Sequence, residues 1–139
     1  MKKIDHIGIA VPDLEAAIAT YTAMGFAYER TEEVPAQQVR TAFFKLGESR
    51  IELLEATTPD SPIAKFIERR GPGIHHVSVE VEDLDKTLQD YKAADIRLAQ
   101  EPSMGAGGHR VAFVHPKATG GVLLEVMEHL SHSNAEENH

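Results

Sequence analysis

The strongest constraint on this chain is an internal duplication. The segment Ile4-Asp5-His6-Ile7-Gly8-Ile9-Ala10-Val11-Pro12-Asp13-Leu14 returns seventy positions later as Ile74-His75-His76-Val77-Ser78-Val79-Glu80-Val81-Glu82-Asp83-Leu84. In that register His6 falls on His76, Asp13 on Asp83, Tyr21 on Tyr91, and Ala42-Phe43 on Ala112-Phe113. The register then slips by three, so that Glu52 falls on Glu125. Two copies of one supersecondary unit must share their hydrophobic burial, so the fold has to be built from two similar modules.

Within each copy the pattern alternates and then becomes helical. Ile7, Ile9 and Val11 point one way and His6, Gly8 and Ala10 the other, as in a half-buried strand. Val77, Val79 and Val81 divide from His76, Ser78 and Glu80 in the same way. Asp13 and Asp83 are N-cap residues ahead of the stripes Leu14-Ala17-Ile18-Tyr21 and Leu84-Thr87-Leu88-Tyr91. Gly25 closes the first helix, and Asp95 holds the equivalent place. Three strands should complete each copy, near 27–33, 39–46 and 50–56, and near 96–101, 110–115 and 121–128.

The expected class is therefore α+β, with two tandem βαβββ modules, 1–56 and 73–130, in a single domain spanning 1–130. Pro59, Pro62, Gly71, Pro72 and Gly73 mark residues 57–72 as a linker carrying a short helix, Ile63 to Arg69, and as a candidate lid. Gly105, Gly107 and Gly108 predict a mobile loop. Residues 131–139 read as a flexible polar tail.

Composition removes several functions. There is no cysteine among 139 residues, so disulfides, thiolate ligands and a cysteine nucleophile are all excluded. A formal charge of −8 argues against nucleic-acid binding. No apolar run is long enough to cross a bilayer, and no targeting segment is recognisable, so a cytoplasmic protein is expected. Lys65, Arg69 and Arg70 form a candidate basic cluster, with Arg40, Arg110 and Lys117 elsewhere.

Of eight histidines, only His6 and His76 coincide under the repeat with a carboxylate also matched, Glu52 with Glu125. His75 should point away from His76 and serve packing or hydrogen bonding. Glu55 and Glu128 coincide as well, but strand alternation turns them from Glu52 and Glu125 toward solvent or salt bridges, unless a strand shifts register. Two imidazoles and two carboxylates suit a divalent ion of borderline softness, which polarises a substrate oxygen while a carboxylate removes a neighbouring proton.

With these segments the chain resembles the vicinal-oxygen-chelate superfamily, which includes glyoxalase I, extradiol dioxygenases and resistance proteins. Within it, the chain is most similar to the methylmalonyl-CoA epimerase family. The resemblance rests on Ile4 to Val11, Ile51-Glu52-Leu53-Leu54-Glu55, Asp60-Ser61-Pro62-Ile63-Ala64-Lys65-Phe66, Gly73-Ile74-His75-His76, and His115-Pro116-Lys117 running into Gly120-Gly121-Val122-Leu123-Leu124-Glu125. It implies modules set edge to edge as a half-barrel cup around one divalent metal, with cobalt, zinc, nickel and manganese not distinguished. His6, Glu52, His76 and Glu125 would be the ligands.

The implied reaction interconverts (2R)- and (2S)-methylmalonyl-CoA through an enolate, with Glu125 and Glu52 as the catalytic carboxylates. The family's other proposed base aligns with Thr41, whose hydroxyl cannot act as a base at neutral pH. Ala36-Gln37-Gln38 stands where the family usually shows Glu-Gln-Gly. The resemblance further implies an acyl-CoA thioester substrate contacted by Gln37, Lys65 and Lys117, with Arg70 as a further cation, and a homodimer. A glyoxalase I-like isomerase is the alternative, but the turn His115 to Gly121 departs from the DPDGY-like turn usual there. A non-catalytic binding member would usually lack the ligands, and an extradiol dioxygenase uses only two His and one Glu.

Overall fold

The computed structural model describes residues 1–105 and 108–129. Gly107 of the expected loop, and the expected tail, lie outside the described residues. The described elements are β1 (Lys3–Ala10), α1 (Leu14–Ala23), β2 (Ala27–Val34), β3 (Val39–Leu46), β4 (Ser49–Ala56), α2 (Pro62–Arg70), β5 (Gly73–Glu80), α3 (Leu84–Ala93), β6 (Ser103–Met104), β7 (Arg110–Val114) and β8 (Leu124–Glu128). The order βαβββ thus occurs twice, with α2 between the copies. The fold is α+β, and each copy has the expected element order.

Two compact units are distinguished: Asp5–His76, and Met1–Ile4 with the chain from Val77 onward. The first runs β2-β3-β4-β1, antiparallel except where β1 pairs parallel with β4. The second runs β5-β8-β7-β6, with β5 parallel to β8. The local register repeats too. Glu52 stands opposite Gly8 and Phe43, and Glu125 stands opposite Ser78 and Phe113.

In the first unit the odd residues of β1 pack under α1. Ile7, Ile9, Val11, Ala42, Phe44, Ile51 and Leu53 meet Leu14, Ala17, Ile18 and Tyr21. Leu14, Phe44 and Leu53 are fully buried; truncating one such leucine to alanine costs about 2–5 kcal/mol. The opposite sheet face carries His6, Gly8 and Ala10 beside Glu52 and Leu54. Its far end is sealed by α2, which lays Ile63, Phe66 and Ile67 against Ala10, Val39 and Leu54. The segment between the copies is therefore packed onto the sheet rather than a plain linker. In the second unit Val81, Ala112 and Val126 pack with Leu84, Leu88 and Tyr91.

Both long helices begin as the sequence predicts. Asp13 and Asp83 each accept a hydrogen bond from the amide three residues on, at 3.1 Å. The coincident pair Glu55 and Glu128 has a structural role beyond solvent or salt bridges. Glu55 accepts the Leu14 amide at 2.9 Å and Glu128 the Leu84 amide at 2.7 Å. Each carboxylate thereby satisfies an open N–H and meets the positive end of a helix. Arg40 joins Glu55 to Glu15, and its repeat mate Arg110 joins Asp85. These two arginines are thus committed to structural ion pairs.

The second copy departs from expectation in two strands. Residues 96–101 form no continuous strand; they make the single bridge Leu98 to Val114, flanked by bonds from Ala99 to Phe113 and from His115 to Arg97. Pro102 has no N–H to donate and restricts Glu101, so pairing resumes only at Ser103–Met104. The last strand starts at Leu124 rather than 121, because Gly120 and Gly121 adopt φ of 78° and 107°. Asp95 takes the left-handed conformation (φ 61°) at the position equivalent to Gly25. Among the described residues no helix is long and apolar enough to cross a membrane.

Candidate active site

His6 and Gly8 project from one face of β1 because a strand alternates, and His76 meets them there. The Nε2 atoms of His6 and His76 face each other at 3.1 Å, with the rings nearly perpendicular. Both residues are 8 % exposed. Gly8 makes the approach feasible: a β-carbon built there would lie 2.3 Å from Cε1 of His76. The space that Gly8 leaves beside His6 is filled by the His76 imidazole.

The other nitrogen of each ring is held by the preceding residue. Nδ1 of His6 lies 2.8 Å from Oδ2 of Asp5, and Nδ1 of His76 lies 3.0 Å from Nδ1 of His75. A carboxylate on Nδ1–H fixes the tautomer that leaves the Nε2 lone pair of His6 facing inward. His75 is itself seated against Phe66 of α2, ring centres 5.0 Å apart. His75 is thus a hydrogen-bonding residue as expected. The role of Asp5 was not foreseen, although the repeat already pairs Asp5 with His75.

Glu52 comes to the same imidazole from β4. Its Oε2 lies 3.3 Å from Nδ1 of His6, and the residue is 7 % exposed. Asp5, His6 and Glu52 make a buried group able to offer three ligand atoms. His76 and Glu52 approach different nitrogens of His6.

The donors fit a divalent ion. Two imidazole nitrogens bound at zinc-like lengths stand about 2.9–3.4 Å apart between octahedral and tetrahedral angles, and 3.1 Å falls inside that interval. A donor set of nitrogen and carboxylate oxygen suits such a metal.

Glu125 occupies β8 of the second unit and is 6 % exposed. Ser78, opposite it, is fully buried. Thr41 lies buried on β3 opposite Leu54, so that position brings no carboxylate. The candidate substrate residues are all at the surface. Gln37 ends the 3-10 turn Pro35–Gln37, Lys65 and Arg70 lie on the outer side of α2, and Lys117 lies in the turn Pro116–Ala118 begun by His115. Gln38 keeps the left-handed turn (φ 57°, ψ 45°) despite lacking the glycine usual in the family it resembles.

Comparison with known proteins identifies the family and the fold. Residues 5–113 match the model of the Glyoxalase/Bleomycin resistance protein/Dioxygenase superfamily. The chain is 39 % identical to the mitochondrial methylmalonyl-CoA epimerase of Homo sapiens over 89 % of its own length and 72 % of that protein. It is 40 % identical to the ethylmalonyl-CoA/methylmalonyl-CoA epimerase of Cereibacter sphaeroides, covering 89 % of this chain and 96 % of that one. A variant of Streptomyces coelicolor methylmalonyl-CoA epimerase in complex with 2-nitronate-propionyl-CoA superposes with a TM-score of 0.88 at 37 % identity, covering 94 % of this chain and 99 % of that one.

Proposed function

Since the chain belongs to the glyoxalase/bleomycin resistance/dioxygenase superfamily, and within it to the methylmalonyl-CoA epimerases, we propose that it interconverts (2R)- and (2S)-methylmalonyl-CoA with the help of one divalent ion. The observation that carries this reading is the buried imidazole pair of His6 and His76 with Nε2 atoms 3.1 Å apart and Glu52 beside it. In the proposed site His6, Glu52, His76 and Glu125 hold the ion. Glu125 is included because its register on β8 repeats that of Glu52 on β4.

When bound, the ion supplies Lewis-acid polarisation of the thioester and carboxylate oxygens, which lowers the cost of an enolate. The protein's carboxylates move the proton. One of Glu125 and Glu52 takes the C2 hydrogen from one side of the carbon, and the other delivers a proton to the opposite side. The proton count is unchanged over a turnover. Thr41 takes no part, since its hydroxyl is not basic enough. Asp5 and His75 keep the imidazoles oriented. Gln37, Lys65 and Lys117, with Arg70, are proposed contacts to the CoA portion. The same reading makes the enzyme a cytoplasmic homodimer, and a monomer by light scattering would remove the dimer from it.

The test is C2 deuteration of methylmalonyl-CoA in D₂O, followed by NMR with cobalt-loaded protein. Exchange is expected, with abolition by a chelator and a loss of about 10²–10⁴-fold in Glu125→Gln. Loaded protein that leaves C2 undeuterated but turns over the methylglyoxal–glutathione adduct would replace this reading with the lyase one.

A further inference from the structure

Phe43 stands opposite Glu52 in the β3–β4 register, on the sheet face that bears His6. Two guanidinium groups lie against its ring. Arg30 from β2 has its Cζ 4.2 Å from the ring centre, and Arg50 from β4 has its Cζ 5.6 Å away. Phe43 itself is 2 % exposed, so the platform is rigid.

The two arginines differ in what neutralises them. Arg30 is paired with Glu32 at 2.6 Å. The Arg50 guanidinium makes neither ion pair nor hydrogen bond among the described residues. Its cross-strand neighbours are His6 on one side and Lys45 on the other. Lys45 likewise has no carboxylate partner among the described residues. Like charges directly opposite each other on a sheet are destabilising. In a chain with 22 acidic and 14 basic residues, carboxylates to relieve such a pair are plentiful. Yet none is placed there, while Arg40 and Arg110 at repeat-equivalent positions are fully engaged.

From this arrangement we infer that Arg50, braced on Phe43 and supported by Arg30 and Lys45, is the binding subsite for an oxyanion of the substrate, a carboxylate or a phosphate. Arginine's planar fork can take two oxygens of either group at once, and an aromatic ring beneath it limits the motion lost on binding. The position, two residues along β4 from Glu52 on the same face and opposite His6, sets that oxyanion beside the proposed metal ligands. This deepens the epimerase reading and rests on it for the identity of the thioester. The binding of anions can nevertheless be measured without turnover.

The experiment is calorimetric titration of the wild type, Arg50→Gln and Arg50→Lys with three ligands. CoA carries phosphates alone, methylmalonyl-pantetheine carries a carboxylate alone, and pantetheine carries neither. The expected result is a loss of affinity in Arg50→Gln of about 10- to 100-fold for one or both anionic ligands, with a smaller loss in Arg50→Lys. Affinity for pantetheine should be unchanged. A loss confined to CoA assigns the subsite to phosphate, and one confined to methylmalonyl-pantetheine assigns it to the acyl carboxylate. Anion affinities within twofold of wild type in Arg50→Gln would overturn the inference, as would failure of the wild type to bind either anionic ligand. Arg50-dependent binding without C2 deuteration would leave the subsite standing and remove the epimerase assignment instead.

Discussion

His6 and His76 owe their closeness to one missing side chain. Gly8 has no β-carbon, and the space is taken by the His76 ring. Its repeat mate is Ser78, so the two copies are not interchangeable here. Alanine at position 8 should push His76 aside. We expect Gly8→Ala to weaken cobalt binding by about 10- to 100-fold, the range seen when ligand orientation is lost, with an unchanged far-ultraviolet spectrum. Competition with a chromophoric chelator measures this, and an affinity within twofold of wild type would mean that the ring has room to move. The repeat's fixed offsets singled out both histidines and both glutamates in the sequence, whereas Thr41 was singled out only by the family resemblance. The orienting carboxylate of Asp5 was not read, although the same offset sets it on His75. Alternation assigns neighbours to opposite faces and hides a contact made around the edge of one residue.

Among the elements, the first copy was readable nearly to the residue and the second was not. β2 pairs with β3 along its length with one register shift between Tyr28 and Arg30, whereas its counterpart meets Pro102 and breaks into a bridge and a two-residue strand. Local chemistry overrode the repeat. The turn before β3 shows the converse, because its shape survives an unfavourable residue. Gln38 holds a left-handed backbone that costs a side-chain residue about 1–2 kcal/mol. Gln38→Gly should therefore raise stability in urea by about 1 kcal/mol, and a loss of stability would show that the Gln38 side chain contributes more than its backbone costs.

The first turn of α3 supplies a pH prediction. The guanidinium of Arg110, hydrogen-bonded to Asp85, holds that carboxyl below its ordinary value of 3.8. A depressed folded pKa means stabilisation that is fully present above pH 3.8 and is lost as pH falls through the lower folded value. The stability gap between wild type and Asp85→Asn should therefore be constant near neutrality and close in strong acid. A gap that widened on acidification would refute the sign. The pair is exposed, so the gap itself is small.

For the molecule as a whole, duplication has distributed the proposed ligands evenly: one imidazole and one carboxylate from each copy. Under the proposed function, an ion that binds only the folded chain would stabilise it by mass action. Excess cobalt should raise the melting temperature of the wild type. Glu52→Gln and Glu125→Gln should each lose much of that rise, and the double variant should lose less than the sum of the two. Strict additivity would indicate two independent ions. Outside the broken strand before β7 and the shortened β8, the repeat extends to Glu55 and Glu128 on the two helix starts and to Arg40 and Arg110 on the adjoining acids.

That shared register of Glu52 and Glu125 has a bearing on reversibility. Under the proposed chemistry, substrate and product differ only in handedness at one centre, so neither direction is appreciably downhill. A catalyst for such a reaction gains nothing from favouring one donor over the other. Under that proposal the repeat offers two carboxylates in like register, Glu52 and Glu125, for the two sides of one carbon.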